Sequence, residues 1–103
     1  MARTYSKQFL VKLNAREETP AILLARLCVE ANLPAKYVSN ALEVSSTTMY
    51  AWFRGANVDK DNLKKVEAFN SILKNDMAAG HLPVKSLKEA KLYISNVIGV
   101  DQP

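Results

Sequence analysis

The 103-residue chain contains few of the residues that build metal sites, disulfide frameworks and irregular loops. It has one cysteine, one histidine, three glycines and four prolines, and no apolar run approaches the roughly 18 residues of a membrane-spanning helix. A lone cysteine excludes an intrachain disulfide, and His81 has no second candidate ligand beside it. We therefore expect no metal, no cofactor, no membrane segment and a cytoplasmic location.

The sequence also lacks a recognisable catalytic constellation. Cys28 lies in the apolar run from Ile22 to Val29 without a histidine or aspartate partner pattern, so we expect an inert packing residue. The acidic residues form no close pair on the predicted helices, which leaves general acid and base catalysis without candidates. We therefore predict that the protein is not an enzyme.

What the chain does have is a moderate excess of positive charge, with 14 Lys and Arg against 10 Asp and Glu and a net charge of +4. The excess is concentrated in the first half. Up to Gly55 there are seven basic and four acidic residues, and after it there are seven and six. Such a balance is typical of a protein that is attracted to polyanions, nucleic acids among them.

Prolines and glycines divide the middle of the chain into helices, because proline favours the first turn of a helix and glycine the residue after its end. The four predicted helices run from Thr19-Pro20 to about Ala31, from Pro34 to about Leu42, from Ser46 to Arg54 and from Lys60 to about Ala79. Ser45 and Asp59 are the expected caps of the last two. This punctuation predicts an all-α domain whose core spans residues 19–79.

Two segments flank this core. Residues 1–18 are predicted to form a basic arm with Arg3 and Lys7, joined by a short helix between Tyr5 and Ala15. Residues 80–103 are predicted to contain a further helix from Ser86 to Ile98, with a short strand over residues 93–98 as the alternative. The inward stripe of that helix is expected to be Leu87, Ala90, Ile94, Val97 and Ile98. Leu92 lies off this stripe and Tyr93 lies at its margin, so both are candidate contacts in a dimer. The alternative is that the helix only completes the core of the monomer.

The segment from Pro34 to Gly55 predicts two short helices joined by a tight turn. We expect Val38 and Leu42 to face inward from the first helix and Val44 to fill the turn. Met49, Trp52 and Phe53 are expected to face inward from the second helix. The small Ser39 stands where two crossing helices must approach closely, as in a helix-turn-helix.

The pattern Leu42-x-Val44-Ser45-x-x-Thr48-Met49-x-x-Trp52-x-Arg54-Gly55 resembles the Cro and lambda-repressor-like helix-turn-helix family. The resemblance implies a lambda-repressor-like bundle of four to five helices with an additional C-terminal helix. It also implies a transcriptional regulator of the phage or bacterial repressor type, which binds double-stranded DNA as a homodimer and associates with the nucleoid. Three positions depart from the family pattern: Ala35 replaces a glutamine, Ser39 an alanine and Glu43 the turn glycine. Glu43 must therefore adopt a positive φ at a cost of about 1 kcal/mol or more.

By position in the motif, the resemblance assigns contacts with DNA to several side chains. The expected base contacts are Ser46, Thr47, Tyr50 and Ala51, and the expected phosphate contacts are Lys36, Arg54, Asn57 and Lys60. Arg3 and Lys7 would add contacts from the arm. The alternative function is a protein-interaction module on the same fold, which binds a polymerase, a toxin or another regulator.

Overall fold

The computed structural model describes residues 5–98, apart from the side chains of residues 97 and 98, and this part of the chain is all-helical, as predicted. Its helices are α1 (Lys7–Asn14), α2 (Pro20–Ala31), α3 (Ala35–Leu42), α4 (Ser46–Phe53), α5 (Lys60–Ala78) and α6 (Leu87–Tyr93). A π-helical turn, Ile94–Ile98, continues α6. The helical alternative is therefore confirmed over the strand for residues 93–98. No helix within residues 5–98 has the length and apolar character needed to cross a bilayer.

Four helices begin at a hydroxyl residue whose oxygen accepts a backbone hydrogen bond from the third residue of the helix. The pairs are Ser6 with Phe9, Thr19 with Ile22, Ser45 with Thr48 and Ser86 with Glu89, at 3.1–3.2 Å. Such caps are typically worth about 1 kcal/mol each. Asp59 is at the predicted cap position of α5, but its carboxylate accepts from the Asn62 side chain at 2.9 Å and not from the backbone. The helix starts are thus fixed mainly by local sequence.

Helices α2 to α5 share one kind of C-terminal end. A residue with positive φ comes one or two positions after each helix, and the N–H of the residue after it donates to the carbonyl five residues back. The positive-φ residues are Asn32 (61°), Glu43 (60°), Gly55 (108°) and Gly80 (85°). This arrangement satisfies carbonyls that the end of a helix leaves without partners. The predicted positive φ of Glu43 is confirmed.

One hydrophobic cluster extends from Leu13 to Ile94. Its centre is α2, which packs against both α4 and α5, so that Leu24, Ala25 and Cys28 have no exposed surface. Alanines at positions 21, 25 and 31 let the neighbouring helices approach α2 closely. The α2 helix therefore acts as the support on which the α3–α4 pair and α5 are assembled.

Helix α1 is docked on this core through aromatic rings. The ring centroids of Tyr5 and Phe9 lie 6.3 and 6.0 Å from that of Phe53, and the Tyr5 hydroxyl donates to the Leu33 carbonyl at 2.7 Å. This confirms the short helix predicted between Tyr5 and Ala15, in which Lys7 is the exposed first residue, while its expected contact with DNA stays a prediction. Arg3 lies outside the described residues.

The C-terminal segment packs against the end of α2, where Asn32 Nδ2 donates to the Val84 carbonyl and Val84 N–H donates to the Ala31 carbonyl, each at 3.0 Å. Ala90 and Ile94 are buried, as predicted. The prediction that Leu87 faces inward is wrong, since 56% of its surface is exposed. Tyr93 takes the inward place, because its hydroxyl reaches Asp76 on α5 and donates to Oδ2 at 2.5 Å. The predicted inward side chains of Val97 and Ile98 lie outside the described residues.

Candidate nucleic-acid interface

The α3–α4 pair buries the side chains that the sequence assigns to its inner face. Val38, Met49 and Trp52 are at most 2% exposed, and Leu42 is also buried. Ser39 is buried as well, and its hydroxyl is satisfied by donating to the Lys36 carbonyl at 2.8 Å. A larger residue at position 39 would separate the two helices. The predicted inner face is therefore confirmed.

The opposite face of α4 is exposed and rich in hydroxyl groups. Ser46 and Thr47 are exposed, and Tyr50 retains 48% of its surface. Ala51 is half-buried. Tyr50 lies four positions after Ser46 and three after Thr47, so the three side chains share one side of the helix. Of the expected base contacts, these three hydroxyl side chains thus lie together at the surface, with Ala51 at their edge.

The side chains expected to contact phosphates are all exposed. Lys36 lies in the first turn of α3, Arg54 follows the last residue of α4, and Asn57 and Lys60 lie in and after the connection to α5. The α4 helix itself carries no charged residue. Positive charge at this surface is therefore supplied from the ends of neighbouring elements.

Two cations that the sequence analysis missed lie against the α3–α4 pair. Lys65 of α5 places Nζ 3.5 Å from the Leu42 carbonyl, next to the turn. Arg16, in the connection after α1, places its guanidinium against Gly55 at the end of α4. Both contacts join residues that are distant in sequence, and no local spacing signals them.

The two candidate dimer contacts have different surroundings. Leu92 is 52% exposed on α6. Tyr93 is 8% exposed and bonded to Asp76 within the same chain, so its assignment to a dimer surface is corrected. Leu87, which the sequence placed inside, is exposed on the same helix.

The single cysteine and Tyr5 are both shielded from solvent, Cys28 fully and Tyr5 in part. Cys28 is fully buried, and burial raises the pKa of its thiol well above the usual range. Burial also raises the pKa of Tyr5, with smaller contributions from the nearby Cys28 and Tyr50. No group of three or more metal-ligating side chains comes together within residues 5–98. The exposed α3–α4 surface is thus the strongest candidate for a functional site.

Comparisons with protein-family models, with curated proteins and with solved structures found no match to this chain. The helix-turn-helix interpretation therefore depends on the residue pattern and on the arrangement of α3 and α4 described above.

Proposed function

We propose that this protein is a sequence-specific, double-stranded DNA-binding transcriptional regulator of the repressor type that inserts α4 into the major groove. The supporting observation is the division of α4 into two faces. Met49, Trp52 and Phe53 hold the helix on the core, while Ser46, Thr47 and Tyr50 are left exposed. A helix whose inner face packs on the core and whose outer face is polar and exposed can present side chains to base edges at a defined depth.

The dimensions of α4 support this proposal. An α-helix with its side chains is about 10–12 Å across, which fits a major groove about 12 Å wide. Hydroxyl groups can donate to or accept from base edges, and Ala51 can contact a thymine methyl. Because such contacts discriminate less sharply than bidentate pairs, part of the specificity would come from the shape and deformability of the DNA.

The surrounding charges would supply the phosphate contacts. Lys36, Arg54 and Lys60 are exposed cations on elements next to α4, and Asn57 adds a neutral donor. Such contacts set the register of a protein on the duplex and contribute most of its non-specific affinity. Binding by this surface would therefore be strongly weakened by salt.

One observation favours the second candidate, a protein-interaction module. The outer face of α4 is uncharged and includes the half-exposed ring of Tyr50, and Leu87 and Leu92 are exposed on α6. Salt separates the two functions, because DNA binding loses affinity with a log–log slope of about −0.9 for each phosphate neutralised, whereas an apolar protein interface responds less.

The proposal is tested by selecting bound sequences from a random duplex pool and then measuring variants on selected and random DNA. Arg54→Ala should weaken binding to both. Thr47→Ala and Tyr50→Ala should reduce binding to the selected sequence more than to random DNA, because they remove base contacts. Ser71→Ala, which removes an exposed hydroxyl on α5, is the matched control and should change neither. If Arg54→Ala, Thr47→Ala and Tyr50→Ala each lost as much affinity for random DNA as for the selected sequence, direct contacts with base edges would be contradicted.

A two-fold dimer is the second part of the proposal. Because Tyr93 is buried within its own chain, the dimer contact would be made by the exposed leucines of α6. Symmetric half-sites about one DNA turn apart would match such a dimer. Sedimentation at micromolar concentration should detect a species twice the 11.4 kDa chain mass, and Leu92→Ser should dissociate it. A wild-type protein that stays at 11.4 kDa without DNA would refute self-association through this helix.

A further inference from the structure

The connection between α1 and α2 brings Arg16 to the C-terminal end of α4. A Cβ at position 55 would lie 2.8 Å from Arg16 Nη1, so the guanidinium lies directly over the glycine. Gly55 has a φ of 108°, which also favours glycine over other residues. The space that a side chain at position 55 would occupy is therefore filled by Arg16.

The backbone of Arg16 is held in place by its neighbours. Its N–H donates to the Leu13 carbonyl at 3.2 Å, and its carbonyl accepts from Arg26 Nη2 at 2.6 Å. Arg26 in turn pairs with Glu18 at 3.3 Å. These bonds fix where the Arg16 side chain starts without using its guanidinium.

That guanidinium remains available to a ligand. It makes no hydrogen bond or ion pair within residues 5–98, and Arg16 is exposed. Of the two nearest acidic residues in sequence, Glu18 is bound by Arg26 and Glu17 is exposed to solvent. An unpaired guanidinium offers a planar set of N–H donors that matches a phosphate group.

We infer that Arg16 binds a DNA backbone phosphate at the C-terminal end of α4, next to the phosphate contact expected from Arg54. This inference rests on the proposed function and extends the interface to the α1–α2 connection. Arg54 directly precedes Gly55, so the two guanidinium groups belong to the same end of the helix. Two adjacent cations there would hold one DNA strand while the N-terminal half of α4 faces the bases.

The test compares wild type, Arg16→Gln and Lys88→Gln by fluorescence anisotropy with a labelled random-sequence duplex across a salt series. Lys88 is exposed on α6, so its variant controls for the loss of one positive charge. If Arg16 neutralises one phosphate, its loss should lower affinity about eightfold at about 0.1 M salt and about twofold at about 0.4 M. The log–log slope should become shallower by about 0.9, and Lys88→Gln should keep the wild-type slope. The thermal midpoint of Arg16→Gln should match wild type, because the side chain makes no bond in the fold.

The outcomes separate this inference from the function on which it rests. A wild type that shows no salt-dependent binding to any duplex would overturn both. A wild type that binds, with an Arg16→Gln variant of equal affinity and slope, would overturn the Arg16 contact alone. A loss of affinity with an unchanged slope would also overturn it, since the side chain would then act through the fold. Arg16→Lys should recover the wild-type slope, because it restores the charge.

Discussion

The turn between α3 and α4 allows a stability prediction whose sign is unusual for a substitution to glycine. Glu43 adopts a φ of 60°, in the left-handed region, and its side chain is exposed. The left-handed conformation costs a residue with a Cβ about 1–2 kcal/mol. Glycine avoids that cost but loses about 0.5–1 kcal/mol through its greater freedom in the unfolded chain. Glu43→Gly should therefore stabilise the protein by up to about 1.5 kcal/mol.

The matched control is Glu67→Gly, which removes the same exposed carboxylate from the interior of α5. In a helix interior, glycine costs about 1 kcal/mol relative to good helix formers. The same chemical change should thus raise the free energy of unfolding at one site and lower it at the other. For a domain of this size, each 1 kcal/mol corresponds to a shift of roughly 4–8 °C in Tm.

Urea and thermal unfolding followed by circular dichroism would measure both variants. Glu43→Asn should fall between wild type and Glu43→Gly, because asparagine tolerates the left-handed region better than glutamate does. If Glu43→Gly destabilised the protein as much as Glu67→Gly, the backbone strain assigned to the turn would be refuted.

Three further predictions concern the core. Phe53→Ala should lower the free energy of urea unfolding by about 3–5 kcal/mol, because it leaves a cavity beneath Tyr5. Val11→Ala, at an exposed site, should change it by no more than about 0.5 kcal/mol. Equal effects of the two substitutions would contradict the docking of α1 through aromatic rings. Cys28 should react with a thiol reagent only as fast as the protein unfolds, since it is fully buried with a raised pKa; rapid labelling of the native state would disprove this burial. Burial raises the pKa of Tyr5 and Tyr93 above that of the unfolded chain, so the native state binds more protons above about pH 10 and stability should fall as pH rises further. Replacing both tyrosines with phenylalanine should flatten this fall, and an unchanged pH profile would argue against their role.

The helix boundaries were largely predictable because they depend on neighbouring residues. Hydroxyl caps such as Ser45 and terminators such as Gly55 act within four or five positions, and the structure uses them where the sequence places them. The inner face of α3 and α4 was predictable for the same reason, since helical periodicity alone separates Met49 and Trp52 from Thr47.

Contacts between distant segments were not predictable from local patterns. The burial of Tyr93 depends on its hydrogen bond to Asp76 of α5. The buried side of the C-terminal helix is therefore centred on Ala90, Tyr93 and Ile94, and Leu87 in the first turn is left exposed. The placement of Arg16 over Gly55 likewise depends on how α1 docks. Periodicity defines a stripe on a helix, but the partner helix decides which part of that stripe is covered.

The continuity of the hydrophobic cluster limits how this protein can be shortened. A fragment of residues 19–79 would retain α3 and α4 but lack Tyr5 and Phe9, whose rings pack on Phe53. It would also expose the end of α2, which Val84 covers. Grafting α3 and α4 onto another scaffold would meet the same difficulty, because α2 and α1 form their support. Tags and fusion partners are therefore best joined outside residues 5–98, and the proposed DNA-binding face is best varied by exchanging the exposed residues of α4 within the intact chain.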